Sequence, residues 1–241
     1  MKKVLFLFFF LSLILLTNCD GDGGNATQAG FVARGGQAEH LDRFEQEIQA
    51  FEAADKKAMP PKNAVLFVGS SSIRLWPDLA ADFAPMPVIN RGFGGSTIPE
   101  VRYYADRIIW KYEPRVIVFY CGENDVKEET PPAVVFQNFK KFIGEVERHL
   151  PGTEVVFVSA KPSPSRWPLW SSFQRFNNMA EHFAENRPRL YYVDISGTLL
   201  SENGAPDKTL FTEDMLHMNS RGYEKWGEVL RPVISRLLVE G

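Results

Sequence analysis

The chain has 241 residues, 44% of them apolar and 24% charged, enough for a folded domain with a sizeable core. Its 27 basic and 30 acidic residues leave a net charge of −3 without a basic run, which argues against a nucleic-acid partner. With two cysteines in the whole chain, a disulfide framework is excluded as the source of stability.

The first segment, "MKKVLFLFFFLSLILLTNC", joins Lys2 and Lys3 to an apolar run from Val4 to Leu16 interrupted only by Ser12. A charged start followed by a short apolar stretch reads as an export signal over residues 1–18. The run falls short of the ~20 apolar residues that a retained span needs. "LTNC" resembles a bacterial lipobox, although Asn18 stands where Gly, Ala or Ser is usual. Cys19 is therefore the expected lipidation site, and the mature chain would face the periplasm or cell surface, held to the membrane through that lipid alone. Removing residues 1–18 deletes two lysines and no acid, so the net charge moves from −3 to −5. Residues 19–38, rich in Gly and small polar side chains, read as a flexible tether, and residues 39–241 as the folded domain.

Leu41, Phe44, Ile48 and Phe51 recur at helical spacing and predict a helix over 39–57, ended by "MPPKN". Short apolar runs then follow at 64–69, 86–90, 115–121, 154–160 and 190–195. They are nearly continuous rather than alternating, as strands buried on both faces are. Helical patterns lie between them at 98–112, 133–149 and 171–186, with a last one at 220–238. Strands alternating with helices predict one α/β domain, a three-layer α/β/α sandwich around a mainly five-stranded parallel sheet. Ligands bind such sheets at the carboxyl ends of the strands, so chemistry is expected just after the apolar runs.

Polar blocks stand there. Gly69-Ser70-Ser71-Ser72 follows the first run, "NRGFGGST" (90–97) the second and "CGEND" (121–125) the third, while "DMLH" (214–217) lies near the C-terminus. Each is weak alone: Gly-Ser turns are common, and an Asn-Asp pair often starts a helix. In this order and at these positions they resemble the SGNH hydrolases, or GDSL-type esterases, from about Asn63 to Arg231. "FVGSSSIRLW", "INRGFGGST" and "LHMNSRGYEKW" agree in form with the subgroup related to platelet-activating-factor acetylhydrolase.

The resemblance implies a flavodoxin-like fold and a serine ester hydrolase that needs no cofactor. Aligned with that family's Gly-Asp-Ser-Leu, the nucleophile is Ser71. Ser70 and Ser72 replace the Asp and the Leu, and remain lesser candidates. His217 is the expected base, with Asp214 three residues earlier to bind its far nitrogen. The other three histidines have plainer places: His40 at the start of the first helix, His149 in a helix's last turn and His182 within a helix. The expected oxyanion hole combines the Ser71 N–H, the Gly95 N–H and the Asn124 side chain. No second histidine accompanies His217 and Cys121 stands alone, so no metal is expected.

The loop "KPSPSRWPLWSS" (161–172) carries Arg166, Trp167 and Trp170, which are candidate substrate contacts. Its rings either stack a sugar or acyl group or pack the loop onto the domain. Arg74 and Arg91 either bind an anionic substrate group or pair with acids such as Glu123 and Asp125. Trp76 and Trp226 are expected in the core. The expected substrate is a small acyl ester, with acetylated carbohydrate as one class. The competing reading is a non-catalytic lipoprotein that binds a carbohydrate or partner, favoured by the altered Gly-Ser-Ser-Ser block.

Overall fold

The computed structural model describes residues 41–240. The export segment, Cys19, the tether and His40 lie outside the described residues.

A 3-10 turn at Asp42–Phe44 enters helix α1 (Glu45–Lys57), and strand β1 (Val65–Gly69) follows. Helices α2 (Ser71–Arg74) and α3 (Leu79–Asp82) lead to β2 (Val88–Gly92), and α4 (Ile98–Tyr103) and α5 (Ala105–Ile108) lead to β3 (Val116–Tyr120). After α6 (Glu123–Lys127) and α7 (Pro132–His149) comes β4 (Glu154–Val158). Helix α8 (Trp170–Ala184) precedes β5 (Leu190–Val193), and α9 (Ser220–Glu240) ends the described chain. All five strands are parallel, in the order β2-β1-β3-β4-β5.

The continuous apolar runs now have their reason. Leu66, Val68, Ile117, Phe119, Val155 and Phe157 face one helical layer, and Val65, Phe67, Val116, Val118, Val156 and Val158 face the other. Helices α1, α4, α5, α7 and α8 cover the first face, and α2, α3 and α9 the second. Phe119 stacks on Phe142 with ring centroids 4.1 Å apart, and truncating such a ring to alanine costs about 3–5 kcal/mol. Trp76 and Trp226 are buried together, 6.0 Å apart, as expected of core residues.

The helix predicted over 98–112 is broken. It tightens at Tyr104, whose carbonyl accepts from both Arg107 and Ile108, and ends as a 3-10 turn at Trp110–Tyr112. The first helix likewise starts as a 3-10 turn before Glu45.

Strand order places the site. The chain leaves β1 for β2 on one side and returns to β3 on the other, so a crevice opens between the carboxyl ends of β1 and β3. Ser71 follows β1 by two residues and Asn124 follows β3 by four. Among the described residues no helix is long and apolar enough to cross a membrane.

Candidate active site

β1 ends on Gly69 at φ +135°, where a Cβ would lie 1.9 Å from the Tyr120 carbonyl oxygen. Only glycine lets the two strand ends come this close. The approach lets the Ser70 N–H donate to the Tyr120 carbonyl at 3.1 Å and turns the chain into α2. Ser70 precedes the helix in extended conformation, and Ser71 is its first residue, where no intrahelical acceptor exists for its N–H.

The three serines therefore separate. Ser70 and Ser72 are buried, at 3% and 2% exposure, and the Ser72 carbonyl accepts from the Tyr223 hydroxyl at 2.9 Å. Ser71 alone is half-buried, with Oγ 2.8 Å from His217 Nε2.

His217 Nδ1 lies 2.6 Å from Asp214 Oδ2. The other carboxylate oxygen, Oδ1, accepts the backbone N–H groups of Leu216 and His217, each at 2.9 Å, and the Thr212 hydroxyl at 2.8 Å. Met215, at φ +56°, makes the turn that lets one aspartate reach both the backbone and the ring two residues on. Partial burial opposes the Asp214 charge, but the His217 ring and these donors outweigh it and hold the carboxyl well below its usual range. An ionised Asp214 keeps the proton on Nδ1, leaving Nε2 to accept from Ser71.

The glycine block and the Asn block are tied together. Gly122, at φ +119° and packed under the Phe176 ring, starts α6 and aims Asn124 back at the loop before α4. Asn124 Nδ2 donates to the Ser96 carbonyl at 3.0 Å, and the Cys121 thiol donates to the same oxygen at 3.3 Å. Asp125 accepts the Ile98 N–H through both oxygens, at 3.2 Å each. A Cβ placed on Gly95 would stand 3.7 Å from Asn124 Nδ2, so Gly95 and the amide are neighbours. From the other side, Glu47 of α1 accepts the Gly94 N–H at 3.0 Å.

The remaining candidates divide. Arg91 does not face the site: it is 8% exposed and bonded to Asp55 at 2.5 Å and to the Tyr112 hydroxyl at 2.6 Å. It pairs, as one of the two expectations held, but with Asp55 rather than Glu123 or Asp125. Arg74 is exposed one turn after Ser71, with Glu47 at 3.7 Å. Arg166 reaches inward, its Nη2 donating to Asn124 Oδ1 at 2.8 Å. Trp167 and Trp170 stack on each other 6.0 Å apart; Trp170 packs on the core while Trp167 stays exposed. His149 stacks on Trp110 at 4.9 Å, and His182 pairs with Glu185 in the last turn of α8, both at the surface.

Two features escaped the sequence reading. Lys161, quoted as part of the aromatic loop, is fully buried with Nζ 2.9 Å from Glu123 Oε2, while the Tyr120 hydroxyl bonds the same oxygen. A lysine directly after an apolar strand was the available signal. The Ser165 N–H also donates to the Met215 carbonyl at 2.9 Å, pinning the aromatic loop to the His217 turn. Among the described residues no group of three or more His, Cys, Asp or Glu side chains is placed to hold a metal ion.

A serine hydroxyl, an imidazole with a carboxylate on its far nitrogen and a fixed amide thus converge where the strand order reverses. The GDSL-like lipase/acylhydrolase family model matches residues 61–225. This chain belongs to that family. It is an SGNH-type ester hydrolase, and the non-catalytic alternative is set aside. No curated protein matches the sequence. Among solved structures, it is similar to a Streptococcus pneumoniae protein provisionally named a platelet activating factor, at 20% identity and TM-score 0.71, over 82% of this chain and 95% of that one. It is also similar to a GDSL-like lipase from Bacteroides thetaiotaomicron at 19% identity and TM-score 0.66, over 78% and 97% of the two chains. An acetyl-xylooligosaccharide esterase from Geobacillus shares 13% identity and TM-score 0.57, over 75% and 96%. These likenesses bear on the fold.

Proposed function

We propose that this ester hydrolase cleaves short-chain acyl esters through an acyl-enzyme, with Ser71 as nucleophile, His217 as base and Asp214 orienting it. The observation that carries the reading is the chain of contacts from Ser71 Oγ to His217 Nε2 at 2.8 Å and from Nδ1 to Asp214 at 2.6 Å. As Oγ attacks the acyl carbon, its proton passes to Nε2 and the carbonyl oxygen gains negative charge. The Ser71 N–H, the Gly95 N–H and Asn124 Nδ2 donate to that oxygen. Collapse expels the alkoxide, which takes the proton back from His217, and water then attacks the acyl-enzyme by the same route.

Acetylated carbohydrate is the substrate class that best suits an exposed Trp167 on a stiff, proline-rich loop beside the base. Arg74 is free enough to meet a polar substituent of the leaving group. We also propose that the enzyme is exported and anchored through lipid on Cys19.

A fluorophosphonate probe labels the purified domain, and p-nitrophenyl acetate and butyrate are hydrolysed; Ser71→Ala loses the label and at least ~10⁴-fold of the turnover. Absence of both activities in the wild type overturns the reading, and equal activity in the variant overturns Ser71. Metabolic labelling with a clickable fatty acid, lost in Cys19→Ser, tests the anchor.

A further inference from the structure

We propose that Arg166 is a positioning residue: it sets the orientation of the Asn124 amide, and so selects which amide atom faces the oxyanion. The inference rests on the proposed role of Asn124 and names a device that the sequence placed instead among substrate contacts.

Asn124 has two N–H donors on Nδ2 and an acceptor in Oδ1. Ser96 O can only accept, and lies 3.0 Å from Nδ2. The Arg166 guanidinium can only donate, and lies 2.8 Å from Oδ1. A flipped amide would set oxygen against the Ser96 carbonyl and N–H against the guanidinium, losing both bonds at a residue only 7% exposed. In the observed orientation one Nδ2 proton is taken by Ser96 and the other is free. A Cβ placed on Gly95 would meet Nδ2, Cγ and Oδ1 at 3.7, 3.8 and 3.8 Å, so the whole amide stands beside that glycine, and in this orientation its unshared donor is on Nδ2. A guanidinium on Oδ1 polarises the amide as well, strengthening Nδ2–H as a donor.

The loop that carries Arg166 is held at both ends of the site. Its neighbour Ser165 donates to Met215 O at 2.9 Å, inside the turn that presents His217. Among the described residues no carboxylate lies within ion-pair distance of Arg166; the acids nearby are engaged, Glu123 by Lys161 and Asp214 by His217. The Arg166 guanidinium is spent instead on a neutral amide oxygen.

The test is a double-mutant cycle on p-nitrophenyl acetate, an uncharged ester that offers a guanidinium no anion to bind. Arg166→Met keeps the aliphatic stem and the fold, checked by an unchanged Tm, and lowers kcat about 10-fold with KM within twofold of wild type. In an Asn124→Ala background the same substitution changes kcat by less than twofold, because its target is gone. Arg166→Lys, with a charged donor but no planar fork, falls between wild type and Arg166→Met. Equal losses in both backgrounds overturn the proposal, as does a rise in KM with kcat preserved, which marks a substrate contact. A wild-type enzyme that takes no fluorophosphonate and hydrolyses no ester instead overturns the proposed function, so the two failures are distinct.

Discussion

His217 Nε2 sits 2.8 Å from Ser71 Oγ although 146 positions separate the two residues. The contact joins the end of the first strand to the turn before the last helix, so it exists only when the sheet and its second helical layer are assembled. Asp214 completes it from within the same turn as His217, and the backbone N–H groups of Leu216 and His217 hold that aspartate regardless of the ring. The imidazole is thus pre-oriented locally and delivered globally.

Asp214→Asn tests the orienting role. The new Oδ1 can still accept the two backbone N–H groups, so the fold survives. Its amide N–H then faces Nδ1 and forces the ring proton onto Nε2, where it cannot accept from Ser71. Turnover is expected to fall by ~10³–10⁴-fold with an unchanged Tm. In the wild type the depressed Asp214 stays ionised from about pH 5 to 8, and loses its charge only far below the usual carboxylate range. Asp214 is therefore expected to contribute no change in kcat/KM over that range, and a pH profile of the two proteins checks it.

Gly95→Ala separates space from backbone strain. The added methyl would meet Asn124 Nδ2 at 3.7 Å and Cγ at 3.8 Å, both ordinary contact distances, so the domain folds. It crowds the place where the substrate oxygen would sit between two donors. We expect kcat to drop by ~10²-fold, comparable to Asn124→Ala at ~10²–10³-fold, with Gly95→Ala melting like wild type. A full-rate Gly95→Ala enzyme would move the oxyanion elsewhere.

Lys161 and Glu123 form a buried ion pair, at 1% and 4% side-chain exposure, beside the helix that carries Asn124. Burial pushes the Lys161 ammonium down, opposed by Glu123. Lys161→Met leaves Glu123 buried without its cation and should cost about 3–5 kcal/mol in urea unfolding. Adding Glu123→Gln removes the stranded charge and should recover more than half of the loss. A double variant as unstable as the single one would place the cost in packing instead.

Asp125 is buried beneath the glycine block, and desolvation pushes its carboxyl up to about 7 against the opposing Ile98 N–H bond. The unfolded chain releases this proton near pH 4, the folded chain only near 7, so stability falls as pH rises through that window. Asp125→Asn keeps an acceptor for Ile98 and removes the titration. Its Tm should exceed that of the wild type at pH 8 and the difference should shrink toward pH 4, with on the order of 2–4 °C per kcal/mol for a chain of this size.

The elements that the sequence revealed are those whose cause is local. Strands buried on both faces need unbroken apolar runs, and all five were legible. Helix α7 was legible as the helical pattern over 133–149, and the blocks Gly69-Ser70-Ser71-Ser72, "CGEND" and "DMLH" marked polar segments whose chemistry lies within a few residues. The partners of Arg91, Lys161, Asp125 and Arg166 were not legible. Each is a long side chain or a buried acid whose partner is supplied by a different strand end or helix, and charge alone does not say which. Arg91 illustrates this, since Asp55 lies 36 residues upstream on α1 and no pattern links them.

By itself, then, the sequence determined the parallel α/β architecture, the four polar blocks after its strands and the residue types available for acyl transfer. Only the tertiary structure decided which serine meets the histidine and which way the Asn124 amide points. It also placed Arg166 against the Asn124 amide, where the sequence reading had set it among substrate contacts. The physical reason is reach: periodicity and turn chemistry act over a few residues, whereas hydrogen-bond partners at a strand-end crevice come from segments that are neighbours only after the sheet has formed.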